Sequence, residues 1–363
     1  VMVSLRAFYI ACWLSLVILS GCSDAARGLV EVQQPSQQPV RERKILGTLK
    51  DLYEYVGIVA DTNQVYNAQA LSLNPDGGIF VLDAGDHKIK EFSAEGKLIR
   101  SYGNGKGRGP GEFIKPVHFM VDSLGAVWVA DTGDRKLVRF RADGSLSETY
   151  FFEDEPRAIA MTGRGRVASL SFPDSTLFKL YDLPANGDEI VEVQKFGTLV
   201  ENQFFSSIAL AGTIDASPDG DYFVYAGLYG GRIASFSPEG MLRFYVETID
   251  GTPFPPVVKF EEDAYTIDRK GGNRISQVIA TVSPEDIYIV CTRWDDSNMD
   301  VFIDVYDSAD GMYQYSIRYD LPCKPLLLTD TLFFVSCDGY VHKWRRLGRP
   351  GVGTVLLGSP SLP

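Results

Sequence analysis

Histidine is scarce in this chain: three residues in 363, His87, His118 and His342. A centre built on several histidine ligands has too few donors here. Cysteine is nearly as rare, five in all, at spacings that match no zinc signature. Positive charge is in deficit, 35 Lys and Arg against 47 Asp and Glu, for a net charge of −12. So acidic a body is a poor non-specific partner for nucleic acid or anionic lipid. No apolar run reaches the roughly 20 residues that a membrane-spanning helix needs. Beyond the N-terminus no segment sustains a helical period. With 45% hydrophobic and 23% charged residues, bulk disorder is excluded as well. What is abundant is glycine (35), phenylalanine (21) and tyrosine (18), the composition of a turn-rich, aromatic-rich β protein.

The N-terminus reads as an address. Arg6 is the only charge before Asp24, and Ala7–Leu19 is an apolar run of 13 residues, the length of a signal-peptide core. It ends in Leu19-Ser20-Gly21-Cys22, which resembles the bacterial lipobox. That resemblance implies a signal peptide over 1–21 and lipidation of Cys22, whose thiol can take a thioether-linked diacylglycerol. Several acyl chains would then anchor the protein stably. A plain secretory signal with a chance cysteine is the competing reading. Ser23, a residue other than Asp after the cysteine, favours the outer membrane in hosts that sort by that position. The polar stretch that follows, with VQQPSQQPVRER at its end, reads as a flexible tether over 22–44. The expected location is the bacterial cell envelope, on the periplasmic or cell-surface side.

Export makes disulfides possible. Cys323 and Cys337 flank two apolar runs around Thr329-Asp330-Thr331. A three-residue hairpin loop there sets the two cysteines directly opposite each other, as disulfide candidates. Two buried thiols, or a register slipped by one residue, are the alternatives.

The rest of the chain repeats. Asp83-Ala-Gly-Asp-His-Lys-Ile-Lys-Glu-Phe92 through Gly96 aligns without gaps to Asp131-Thr-Gly-Asp-Arg-Lys-Leu-Val-Arg-Phe140 through Gly144, an offset of 48. A third copy, Arg232–Gly240, lies 96 beyond the second, twice the same offset. Within each unit, short β-branched or aromatic runs alternate with turns such as Asn74-Pro-Asp-Gly77 and Asp122-Ser-Leu-Gly125, the pattern of four antiparallel strands. A lone four-stranded sheet leaves edges and both faces exposed, and radial stacking removes the problem. Ile58–Arg345 is 288 residues, six times 48. The expected fold is all-β: a six-bladed β-propeller of four-stranded antiparallel blades over 45–345. Ile45–Val56 should supply the outer strand of the last blade and close the ring, leaving 346–363 as an irregular tail.

Gly103–Gly144 resembles the NHL repeat: a Gly-rich lead to Gly111-Glu-Phe113, then Val127-Trp-Val-Ala-Asp131-Thr-Gly-Asp-Arg135, then Phe140 and Gly144. The likeness extends over Ala70–Gly103 and weakens beyond. It implies the fold strongly and function weakly, since such propellers include scaffolds, peptide-amidating lyases, lactonase-like hydrolases and virginiamycin-type lyases. The histidine count is too low for an amidating lyase. There is no G-x-S-x-G elbow for Ser/His/Asp hydrolysis.

In such a ring the long connections (103–116, 198–207, 249–274 and 292–298) fall on one face, the expected site of function. Lys115, Arg157, Arg274 and Lys324 stand at or just before the innermost strands, with His118 nearby and Trp294 in a face loop. Together these are the candidate ligand-binding residues. The four cations would focus a positive field on an anionic ligand, unless they pair with neighbours such as Glu155, Glu112 and Asp320. The repeated Asp83, Asp86, Asp131 and Asp134 offer oxygen ligands for Ca²⁺; the competing reading, implied by the resemblance to NHL units, is structural, the first of each pair capping a turn. The function expected is a lipid-anchored extracytoplasmic binding or scaffold module for a protein, peptide or glycan, with no cofactor and no nucleic-acid partner. The alternative is a metal-dependent lactonase-like hydrolase or lyase with an axial Ca²⁺, for which Asn67, Asn202 and Asp295 are donors that form no recognisable set.

Overall fold

The computed structural model describes residues 34–348 apart from 75, 163–164, 173–175, 185–189, 198, 200–208, 262–263, 268–274, 295–298 and 330. The signal segment, Cys22 and the tail from 349 on lie outside the described residues.

Six four-stranded antiparallel blades follow one another along the chain. Blade one consists of Ala68–Leu73, Ile79–Asp83, Lys88–Phe92 and Leu98–Tyr102. Blades two to four span 116–151, 155–196 and 212–247, and blades five and six take their consecutive strands from 275–318 and 324–346. Each innermost strand packs against the next around the ring, blade six meeting blade one.

Strand periodicity explains the closure. In Ile79–Asp83 every residue is buried. Ile79 and Val81 enter the apolar cluster shared with blade six, and Phe80 and Leu82 the one shared with blade two. Successive side chains of a strand point to opposite faces, so one short run serves two interfaces. The same alternation produces six clusters, one between each pair of neighbouring blades. Each buried Val, Leu or Phe contributes about 1.5–3 kcal/mol, and a single blade would leave both of its faces in water.

An N-terminal strand closes the last blade as expected, but it begins at Tyr53 rather than Ile45, and the residues before it belong to blade five. Ile45–Thr48 runs parallel to Tyr313–Arg318 as a fifth, outermost strand of blade five. One helical turn, Leu49–Leu52, follows, started by a reciprocal capping box between Thr48 and Asp51. Only then does Tyr53–Ala60 pair antiparallel with Tyr340–Arg346 as the fourth strand of blade six. The buried Leu49 pins the crossing into the cluster between blades five and six.

Residues 36–44 are also seated, in contrast to the flexible tether expected over 22–44. Ser36 bridges in parallel to Val246 on the outer strand of blade four. Gln38 is 4% exposed. It donates to the carbonyls of Glu247 and Gly311 and accepts from the N–H of Tyr313. The physical reason is that outer strands leave unpaired backbone groups, which this strap satisfies on blades four and five.

Cys323 and Cys337 are joined by a disulfide, their Cα atoms 4.8 Å apart. The register near them is Lys324 opposite Ser336 and Pro325 opposite Val335. It then shifts at a bulge, so that Leu328 faces Phe333 rather than Leu332. Cys291 is a buried free thiol.

Candidate functional site

The repeated aspartates build the rigid frame beneath the loop-rich face. Asp83 accepts from the N–H groups of Tyr66, Asn67 and Gly85 at 2.9–3.0 Å and from Lys90 Nζ at 2.7 Å. Burial opposes its charge, but Lys90 and those N–H groups outweigh burial and hold its carboxyl below the usual range. Asp131 accepts in the same way from Ile114, Lys115 and Gly133. The following turn residues, His87 and Arg135, have φ of 58° and 48°. His87 therefore shapes a turn. The Gly-rich connector spends its backbone groups internally, Asn104 N–H on Gly111 O and Phe113 N–H on Gly105 O, and plugs the fully buried Phe113 between blades one and two.

The axial candidates differ in state. Arg157 is half exposed and ion-paired with Glu155 at 2.8 Å. Lys324 donates from Nζ to the carbonyl of Gln69 at 2.9 Å, tying blade six to blade one. Burial lowers its pKa. Lys115 has an exposed side chain. His118 lies on an innermost strand, its Nδ1 buried without a hydrogen-bond partner. Burial depresses its pKa to about 4, so it adds no positive charge at neutral pH. Arg274 lies outside the described residues, as do the side chain of Trp294 and the donors Asn202 and Asp295. Asn67 gives its backbone N–H to Asp83. One axial carboxyl went unremarked in the sequence, Asp215. It accepts from the N–H groups of Val282 and Ala216, and burial raises its pKa to about 6. With Thr213, which accepts from Ile279 N–H, it stitches blade four to blade five.

A second cluster had no signal in the sequence. Arg43 of the strap reaches between blades four and five, its side chain 9% exposed. Its Nη1 bonds Asp250 Oδ1 at 2.8 Å, with Nη2 on Asp250 Oδ2. Its Nε and Nη2 bond Asp304 Oδ1 and Oδ2 at 3.0 and 2.8 Å. The guanidinium stacks over Phe302, 4.7 Å from the ring centroid, and Ser316 Oγ donates to Asp304 at 2.6 Å. Burial opposes the charge of Arg43, but the two carboxylates raise its pKa.

Asp250, Cys291 and Asp304 offer ligand atoms within 4.8 Å of one another. They do not fit a metal. The guanidinium bonds both carboxylates, and a coordinating cysteine must be a thiolate. Burial pushes the Cys291 thiol up, and the two aspartates push it further. Its S–H donates to Asp250 Oδ2 at 3.3 Å.

The profile of the family described as 6-bladed beta-propeller matches residues 61–319. The chain belongs to this family. Among solved structures the propeller is similar to a Bacteroides fragilis protein designated exported, at 13% identity and a TM-score of 0.53, with 87% of this chain and 99% of that one covered. It is also similar to a DUF4221-family protein of Bacteroides vulgatus, at 11% identity and a TM-score of 0.56, covering 81% and 98%. At such identities the likeness concerns the fold alone. No curated protein matches the chain. The matched region leaves out both the strap and blade six, the parts that close this propeller. No helix among the described residues is long and apolar enough to cross a membrane.

Proposed function

We propose that this protein is a lipid-anchored, extracytoplasmic propeller of NHL type that binds a protein, peptide or glycan bearing an anionic group. The observation that supports this most is the asymmetry of the ring. The 103–115 connection and the described part of the one that follows blade four, with its own paired strands Val257–Glu261 and Ala264–Ile267, lie on one face. Turns on the other face are mostly as short as 74–78, 93–97 and 122–126. A rigid ring with one elaborated face suits recognition. Lipidation at Cys22 supplies the anchor, and an exported structural relative is consistent with that address.

The test is cross-linking of the native chain in its envelope, with captured proteins identified, beside a Cys22→Ala variant. The reading expects a specific adduct through the loop-rich face and release of the variant from the membrane fraction. An unmodified Cys22, or labelling confined to the short-turn face, overturns it. Metal analysis separates the hydrolase or lyase alternative, which requires a stoichiometric axial Ca²⁺.

A further inference from the structure

A cavity of about 470 Å³ opens beside the Arg43 latch, within the size range of small-molecule sites. Half of its wall comes from the strap and the first residue of the strand it leads into: Arg41, Glu42, Arg43 and Ile45. The opposite wall includes Arg293, at the loop-face end of a blade-five strand, and Phe302.

Its charges are unevenly committed. Arg43 is engaged with Asp250 and Asp304. Arg41 and Arg232 share one carboxylate, Glu247, at 2.9 and 3.3 Å. Arg293 shares Asp250 with Arg43 and reaches it at only 3.7 Å. Four guanidinium groups thus divide three carboxylates. The two least committed, Arg41 and Arg293, are 48% and 52% exposed and line the same cavity. Each guanidinium carries five donors in a planar fork that matches a carboxylate. Ile45, 44% exposed, Ile249 and Phe302 give the wall its apolar part, and Asp250, already bonded by Arg43, lines it as well. Glu42 is the exposed acid of the lining and disfavours a ligand with several negative charges.

We propose that this cavity is a binding site for a small organic monocarboxylate with an apolar body. Arg41 and Arg293 receive the carboxylate, and the N-terminal strap forms the wall without which the site does not exist. This rests on the reading of the loop-rich face as an anion-recognition face and gives that reading a location away from the axis. Because the strap builds half of the site, ligand and strap stabilise each other's seating.

The test is calorimetric titration of the full chain in detergent with benzoate and hexanoate at constant ionic strength, with neutral benzamide and inorganic phosphate as comparisons. The expected result is saturable binding of at least one carboxylate, weaker or absent binding of benzamide and phosphate, and at least tenfold loss in Arg41→Gln and Arg293→Gln. Both substitutions are at half-exposed side chains, and unchanged melting confirms folding. Arg157→Gln, at the axis, distinguishes this site from an axial one. Phosphate binding tighter than either carboxylate overturns the ligand class. Carboxylate binding unaffected by Arg41→Gln and Arg293→Gln but lost in Arg157→Gln overturns the site and leaves the anionic face standing at the axis. No binding of either carboxylate overturns the proposal, while the cross-linking result judges the broader reading independently.

Discussion

Arg43 and Asp304 stand 261 positions apart in the chain and meet through two hydrogen bonds of 3.0 and 2.8 Å. Asp304 is fully buried on the third strand of blade five, and its counter-ion arrives from a strap that precedes the first blade. Burial raises the pKa of Asp304 in spite of Arg43, so the pair is held by geometry against a desolvation penalty. Replacing Arg43 with Ala leaves the buried Asp304 without a cation and Asp250 with only the 3.7 Å contact to Arg293. The expected loss is about 3–5 kcal/mol, read by chemical denaturation. Adding Asp250→Asn and Asp304→Asn to that variant should restore most of it. A loss under 1 kcal/mol for Arg43→Ala would show that the strap is not latched.

The axis should show two opposed pH dependences. The fold raises Asp215 from 3.8 to about 6. It favours the protonated form, so this contribution is complete below pH 3.8 and is lost as pH rises through about 6. The fold lowers His118 from 6.5 to about 4. It favours the neutral ring, so that contribution is complete above pH 6.5 and is lost as pH falls through about 4. Each is of order 1–3 kcal/mol, and between pH 4 and 6 they nearly cancel. Relative to the parent, Asp215→Asn should gain stability with rising pH across that window, and His118→Gln should lose it. Denaturation midpoints from pH 4 to 7 check both; parallel profiles for parent and variants would refute them.

The Cys323–Cys337 bond closes a loop with a sequence separation of 14. A double Cys→Ser variant should be about 3 kcal/mol less stable, the loop-entropy expectation for that length. Intact mass before and after reduction tests the bond directly. Cys291, buried and protonated, should react with thiol reagents only after unfolding.

A fourth expectation concerns the repeat's glycine. A Cβ at Gly85 would stand 2.6 Å from Tyr66 Cβ, and Tyr66 cannot retreat because its N–H is held by Asp83. Gly85→Ala should cost about 2–3 kcal/mol. Gly165, at φ +70° with open space around it, should lose only about 1 kcal/mol as Ala. Equal losses at the two sites would show that crowding under the turn is not what the glycine avoids.

Much of the architecture is legible in the residues. The gapless match of Asp83–Gly96 to Asp131–Gly144 carries the period, and the period carries the blades. The expected propeller bounds of 45–345 differ from the observed first and last strands by a residue at most. These features are local: Asp83 and Asp131 each accept from the N–H of the glycine two residues further on and cap their own turns. The site was less legible. Arg157 sits at the expected rim yet is paired with the acid two positions away, and nothing in spacing distinguishes a free cation from a paired one.

Alternation with a period of two, turn chemistry and the need to hide two apolar faces per sheet are enough to specify a closed ring of six blades from the chain's own pattern. The path of residues 36–48 is a different matter. Gln38 and Arg43 look like solvated tether because their partners, Gly311, Tyr313, Asp250 and Asp304, lie more than 200 positions later. Only when the ring closes do bare strand edges and a buried carboxylate come within reach of that segment. Long-range polar pairing depends on where the fold brings the backbone, and a linear pattern holds no record of it.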